Sequence, residues 1–258
     1  MNLPKFFNPN FLASCLLATL LVTGCASDRD AIKVERHSCF LMHFSYYEPD
    51  DSDMEIFIDI PVNAPKALTD SITSFLNEEL YCLFENGDDR HLPYEKVFST
   101  DLPNLANHYW DAYRSFYGAD DPYITEFVHW FELNLVAQTD TYLTYEVVCG
   151  FIGEGPEESR SWTTFVKKDG RRLKEVVNDE NMLRFYKDNP EFRNESVWEY
   201  VEWVMSEGYD PRLGSSVGLL NDSVAHQYMF APGIYEDIKY PLEVIKPYLS
   251  EEARQLVH

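Results

Sequence analysis

Phe127-Val128-His129-Trp130-Phe131-Glu132-Leu133-Asn134-Leu135-Val136-Ala137-Gln138 is the stretch that decides the fold class. Phe127, Phe131, Leu133 and Leu135 fall on one side of an extended chain, and Trp130, Glu132 and Asn134 fall on the other. Strict two-residue alternation of this kind is the pattern of a strand with one face buried. The short Thr139-Asp140 break leads to a second extended run, Tyr142 to Phe151. A third follows at Ser161 to Lys167, where Trp162, Thr164 and Val166 alternate with Thr163 and Phe165. Lys168-Asp169-Gly170-Arg171 then has the composition of a hairpin-type turn. Three such strands in sequence predict an antiparallel meander.

Upstream, Phe40, Met42, Phe44 and Tyr46 alternate from Cys39 to Tyr47. Met54, Ile56, Ile58 and Ile60 alternate with Glu55, Phe57 and Asp59, and the two runs are hairpin partners across the turn at 49–53. Pro61 stops the second. Leu68, Ile72, Phe75, Leu76, Leu80 and Leu83 recur at three and four, so Pro65 to Leu83 reads as one amphipathic helix. Residues 101–117 read as another. Downstream come helices at about 179–188 and at 196–206, a loop from Pro211 to Asn221, strands at Ala225–Phe230 and Ile238–Val244, and a terminal helical turn at 250–253. Helices and antiparallel strands in separate runs predict an α+β fold. The expected form is an antiparallel sheet packed by helices on one face and partly wet on the other.

The N-terminus is read by its processing rather than its folding. Positions 1–24 carry one charged side chain, Lys5, and Phe11 to Val22 is apolar apart from Ser14 and Thr19. A dozen residues fall short of the roughly 20 needed to span a bilayer, and match the apolar core of a signal peptide. Leu21-Val22-Thr23-Gly24-Cys25 resembles a bacterial lipobox. The resemblance implies cleavage before Cys25 and acylation of its sulfur and new amino group, including chains of the palmitate class. Two or more acyl chains hold a protein stably at a membrane. Ala26 and Ser27 follow, without the aspartate that marks inner-membrane retention, which implies the outer membrane of the cell envelope. The expected domains are a signal peptide at 1–24, a lipidated tether at 25–37 and a single domain at 38–258.

Charge narrows the partners. The chain has 21 Lys+Arg against 44 Asp+Glu, a formal net charge of −23. Loss of Lys5 with the leader makes it one unit more negative. Such a chain is repelled by nucleic acid phosphates and attracts basic partners. The content of 17 Tyr, 17 Phe and 5 Trp supports a real core. Of five cysteines, Cys15 leaves with the leader and Cys25 is acylated. Cys39, Cys82 and Cys149 then allow one disulfide, with Cys39–Cys82 an open alternative to buried thiols.

Catalytic and cofactor signatures are not assigned. The seven histidines, His129 among them, make no metal-binding spacing. The acidic turns at 50–53, 88–89 and 120–121 lack the spacing of a calcium loop. Gly214-Ser215-Ser216 is read as loop rather than as a nucleophile elbow. No cofactor and no metal are expected. The segment Gly153-Glu154-Gly155-Pro156-Glu157-Glu158 is read as a Gly/Pro loop whose Glu154, Glu157 and Glu158 are candidates for meeting a basic partner.

Three stretches carry a family resemblance: Ile56-x-Ile58-x-Ile60-Pro61 with the helix containing Leu76-Asn77; Thr163 to Leu173 with its lysine- and glycine-containing turn; and Tyr228 to Tyr235 followed by Lys239 to Leu249. Together they resemble the domain family of unknown function found at the C-terminus of RsiV, a membrane-bound anti-sigma factor that senses lysozyme. The resemblance covers about residues 50–255. Many members carry Gly-Gly-Ala-His before the third meander strand. This chain has Gly153 to Arg160 there and no histidine, so lysozyme binding does not transfer residue by residue. The resemblance and the charge together imply a non-catalytic envelope lipoprotein with a ligand-binding or sensing domain for a basic protein such as lysozyme. The competing expectation is an accessory or enzymatic factor acting on cell-wall glycan.

Overall fold

The computed structural model describes residues 31–42, 53–84, 128–152, 156–211, 213, 217–231 and 234–257. The expected leader, Cys25, the expected helix at 101–117 and the three acidic turns, save Asp53, lie outside them. Among the described residues no helix is long and apolar enough to cross a membrane.

Five strands form the main sheet in chain order: β1 (Val34–Met42), β2 (Asp53–Pro61), β3 (Val128–Gln138), β4 (Tyr142–Ile152) and β5 (Pro156–Val166). The β3–β4–β5 meander is antiparallel throughout, with Leu133 opposite Val147 and Thr144 opposite Thr164. β1 and β2 are antiparallel, with His37 opposite Ile58. β2 and β3 run parallel, with Ile56 opposite Phe131 and Ile58 opposite Leu133. The sheet is therefore mixed, where a wholly antiparallel one was expected. Alternation in β2 and β3 fixes which face each side chain takes, but it is blind to strand direction. Here α1 (Lys66–Phe84) occupies part of the return from the end of β2, so β3 starts beside the start of β2.

A second sheet holds β6 (Val217–Leu219), β7 (Ser223–Ala231) and β8 (Ile234–Pro241), all antiparallel. Among the described residues the remaining α-helices are α2 (Asp179–Asp188), α3 (Glu195–Ser206), α4 (Leu242–Ile245) and α5 (Glu251–Arg254). Asn178, Asn194 and Ser250 each accept a bond from a backbone N–H of the first turn, at 2.8, 3.0 and 3.1 Å, which explains where α2, α3 and α5 begin.

Two cores flank the main sheet. On one face Leu68, Ile72, Phe75 and Leu76 of α1 meet Ile56, Ile58, Phe131, Leu133, Tyr145 and Phe165. Phe75 and Tyr145 each approach Phe165 edge-on, at 5.7 and 6.2 Å. On the other face Tyr142 and Val166 meet α2, α3, the second sheet and the C-terminal turns through Phe185, Tyr186, Val201, Leu219, Tyr240 and Leu249. Elements thus pack on both faces, where helices on one were expected. The reason lies in β4: Tyr142, Leu143, Thr144, Tyr145, Val147 and Val148 are all buried, whichever way they point. Burial of both parities needs cover on both sides.

Several boundaries differ from the expected ones. β1 takes in Val34–His37, assigned above to the tether, and Ile32 is already buried. Ile32 exchanges two bonds with the Gln138 side chain, at 2.7 and 3.1 Å. β5 starts at Pro156 rather than Ser161. β6 lies inside the expected loop at 211–221, and Leu242 to Ile245 is helical rather than extended. The turn at Lys168–Arg171 is as expected, and Gly170 has φ +73°. A methyl group on Gly170 would stand 2.6 Å from the backbone of Ala67, so this turn seats directly on the start of α1.

Candidate functional site

Parity along the strands gathers a row of charged side chains on the face of the main sheet away from α1. Arg36, Asp59, Glu132, Asn134, Glu146, Glu158 and Arg160 occupy successive register positions from β1 to β5 on that face. In β2, β3 and β4 the apolar neighbours of these residues, among them Ile58, Leu133, Tyr145 and Val147, point to the α1 core.

One end centres on Arg36. Its guanidinium donates to Asn134 Oδ1 at 2.9 Å and lies 3.6 Å from Asp59 and from Glu132. The same guanidinium sits over the Phe57 ring at 5.3 Å. Asn134 Nδ2 donates to Glu132 at 2.9 Å, so the pair is held in line. Asp59 is buried and accepts from the backbone N–H of Leu135 at 3.0 Å, beside an irregularity in the β3–β4 register. Burial pushes the Asp59 carboxyl above the usual carboxylate range, outweighing the Leu135 N–H and Arg36, which pull it down.

The other end centres on Arg160. It bonds Glu158 through Nε and Nη2 at 2.7 and 2.5 Å. It also lies 3.4 Å from Glu146 on β4 and 3.2 Å from Asp237 on β8. The Arg160 backbone N–H, on the outer edge of β5, donates to Gln227 Oε1 at 2.5 Å, and Gln227 Nε2 donates to Asp237 at 2.9 Å. Arg160 therefore joins the two sheets through both its side chain and its backbone. Burial raises the Glu146 carboxyl, opposed by Arg160.

The expected acidic loop is placed differently. Glu157 and Glu158 belong to β5, opposite Phe151 and Gly150, and Glu154 lies outside the described residues. The Glu158 carboxylate is paired with Arg160. Sequence reading singled out neither Arg160 nor Asp237 nor Arg36. The only available signal was the polar parity of Glu132 and Asn134, which continues into Asp59 and Glu146.

Cys149 is half-buried against the α1 core. Cys39 lies in β1 opposite Ile56 and Cys82 in α1. His129 lies in β3 opposite Phe151. His226 is fully buried, its two ring nitrogens make no hydrogen bond among the described residues, and its ring stands 6.1 Å from Tyr228 and 6.5 Å from Tyr240. Burial holds its imidazole down at about 4. Gly214 to Gly218 does spell G-x-S-x-G around Ser216, a spacing that the reading as plain loop passed over. A nucleophile elbow needs a helix after its serine, and here β6 follows at Val217.

No family model matches the chain, and no curated protein matches it. Among solved structures it is similar to a member of the DUF3298 family from Bacteroides fragilis, 13% identical over 86% of this chain and 96% of that one, with a TM-score of 0.53. It is also similar to a DUF3298 family protein from Pseudomonas aeruginosa, 10% identical over 95% of this chain and 96% of that one, with a TM-score of 0.47. At 13% identity the Bacteroides likeness is one of fold. It places the α+β architecture beside that of a domain of unknown function.

Proposed function

We propose that this protein is a non-catalytic envelope lipoprotein whose acidic domain binds a basic protein, with a lysozyme-like protein the sharpest candidate. The observation that supports it is the excess of carboxylate at both ends of the charged row. Two carboxylates surround Arg36 and three surround Arg160. The row therefore keeps negative charge after its internal pairs are made. Complementary charge of this kind speeds encounter with a cationic surface and orients it. The most enclosed carboxylates of the row, Asp59 and Glu146, are held by Leu135 and Arg160, which weighs against the competing role of a general acid on cell-wall glycan.

The anchor is part of the same proposal. Acylated Cys25 tethers the domain, in the outer membrane of the envelope, through the segment ahead of Ile32. Cys25→Ser should abolish palmitate labelling and move the protein from the membrane to the soluble fraction. Binding is tested by titrating a soluble form starting at Asp28 with a c-type lysozyme at low and physiological salt. Saturable binding that persists at physiological salt supports the reading. Binding that disappears there, or is missing at both, sinks it.

A further inference from the structure

The end of α3 carries a surface unlike the rest of the molecule. Trp203, Met205 and Tyr209 are 61%, 46% and 71% exposed, and they make up most of the large exposed apolar side chains among the described residues. Glu195, Glu199, Glu202, Trp203 and Ser206 follow one helical face. Residues 195–210 contain five carboxylates and no lysine or arginine.

The backbone presents this surface rigidly. Gly208 takes φ +82°, its N–H bonds Met205 O, and the Tyr209 N–H bonds Val204 O, both at 3.1 Å. That is a Schellman ending, in which the residue in Tyr209's place commonly packs back on the one in Val204's. Here Val204 is buried and Tyr209 stands in solvent. The Trp203 ring leans on Tyr200 at 6.1 Å, and Tyr200 leans on Tyr228 of β7 at 5.3 Å. Trp203 is thus braced from beneath and open above.

Elsewhere the chain uses such rings to hold arginines. Arg36, Arg172, Arg184 and Arg193 lie 5.3, 4.7, 5.1 and 4.1 Å from the ring centres of Phe57, Phe75, Tyr248 and Trp198. Among the described residues no cation lies over Trp203 or Tyr209. Three attractions for a guanidinium or ammonium group converge there: aromatic faces, surrounding carboxylates, and the negative end of the helix dipole. A neutral or anionic glycan would gain from the rings alone.

We infer that the C-terminal end of α3, from Glu199 to Asp210, is the docking face for an arginine- and lysine-rich polypeptide, with Trp203 and Tyr209 receiving its cationic side chains. This rests on the reading of the domain as a binder of basic protein, and it names where the partner sits.

The test uses the soluble protein from Asp28 with two probes, a labelled deca-arginine peptide and a c-type lysozyme, at physiological salt. Trp203→Ala/Tyr209→Ala should weaken both by tenfold or more, the loss typical of buried aromatic anchors (about 1.4 kcal/mol or above). Glu199→Gln/Glu202→Gln should weaken them to a smaller degree. Glu180→Gln/Glu191→Gln, an equal charge change away from α3, should cost less than about twofold. An unchanged thermal midpoint in every variant shows that folding is intact. Equal losses at α3 and at the control sites would mean that net charge alone attracts the probes, and would overturn the site. Wild-type binding that survives Trp203→Ala/Tyr209→Ala would overturn the site and leave the broader reading standing. Failure of the wild type to bind either probe would overturn both. Chitotetraose binding that is lost on the same substitutions, with no polycation binding, would replace the site with a glycan platform.

Discussion

Arg160 of β5 and Asp237 of β8 lie 3.2 Å apart and bind the two sheets to each other. Arg160 also faces Glu146, whose side chain is 14% exposed. Arg160→Met would leave that enclosed carboxylate without its bonded partner, with only the weaker pull of Lys239. The expected loss is about 2 kcal/mol of stability, since stranding one member of a buried pair costs more than the pair contributes. Adding Glu146→Gln should recover part of it. Urea unfolding of the single and double variants gives the comparison.

Tyr186 and Tyr240 share a hydrogen bond at 2.5 Å between hydroxyls that are both buried. Burial pushes Tyr186 up to about 12, so its hydroxyl is neutral at any ordinary pH. Tyr186→Phe removes this buried bond and should cost about 1–2 kcal/mol. Tyr186→Phe/Tyr240→Phe should cost less than twice that, because the two substitutions break the same bond. Denaturant midpoints of the two single variants and the double decide it.

His226 makes the fold sensitive to acid. Its value is about 4 in the folded protein, against about 6.5 in an unfolded chain. Below pH 6.5 the unfolded state takes up a proton that the folded state refuses, so stability falls as pH drops from 6.5 towards 4. Linkage sets the whole loss at about 3 kcal/mol. Asp59 and Glu146, whose values are raised by burial, work in the opposite direction as they protonate. His226→Leu should therefore flatten the fall between pH 7 and pH 5. Urea midpoints at those two pH values, with and without the substitution, measure it.

Gly170 and Gly208 share a left-handed backbone but not a surrounding. Gly170→Ala meets the Ala67 backbone at 2.6 Å, whereas Gly208→Ala meets nothing within 4 Å. The second should cost about 1 kcal/mol, the conformational penalty alone. The first adds displacement of α1 and should cost at least twice as much. Thermal midpoints of the two variants separate the effects.

The meander was legible because each of its strands carries its own two-residue period and its turns are short. α1, α2 and α3 were legible through apolar spacing, with Asn178 and Asn194 fixing two of the starts. Direction was not: Ile56 and Ile58 read the same whether β3 runs with β2 or against it. Cover on the second face was not legible either, because β6 is only three residues long and no period can be seen in three residues. Nor was the charged row. Arg36 and Asn134 are far apart in the chain, and only the register of β1, β2 and β3 brings them within hydrogen-bond distance. The acidic segment at 153–158 drew attention by composition, while pairing with β4 determines what Glu158 touches.

The parallel junction between β2 and β3 also sets an order of assembly. An antiparallel hairpin such as β1–β2 can close as soon as its turn exists, and the β3–β4–β5 meander can do the same. The two cannot join until everything between Pro61 and Val128 has emerged and looped back, a long-range closure of the kind that slows folding. During that wait the inner edge of β2 has no strand beside it, and it belongs to a segment rich in isoleucine. A chain threaded through a membrane from its N-terminus would present that edge first. It would then depend on α1, the next segment out, to cover the isoleucine face until β3 arrives.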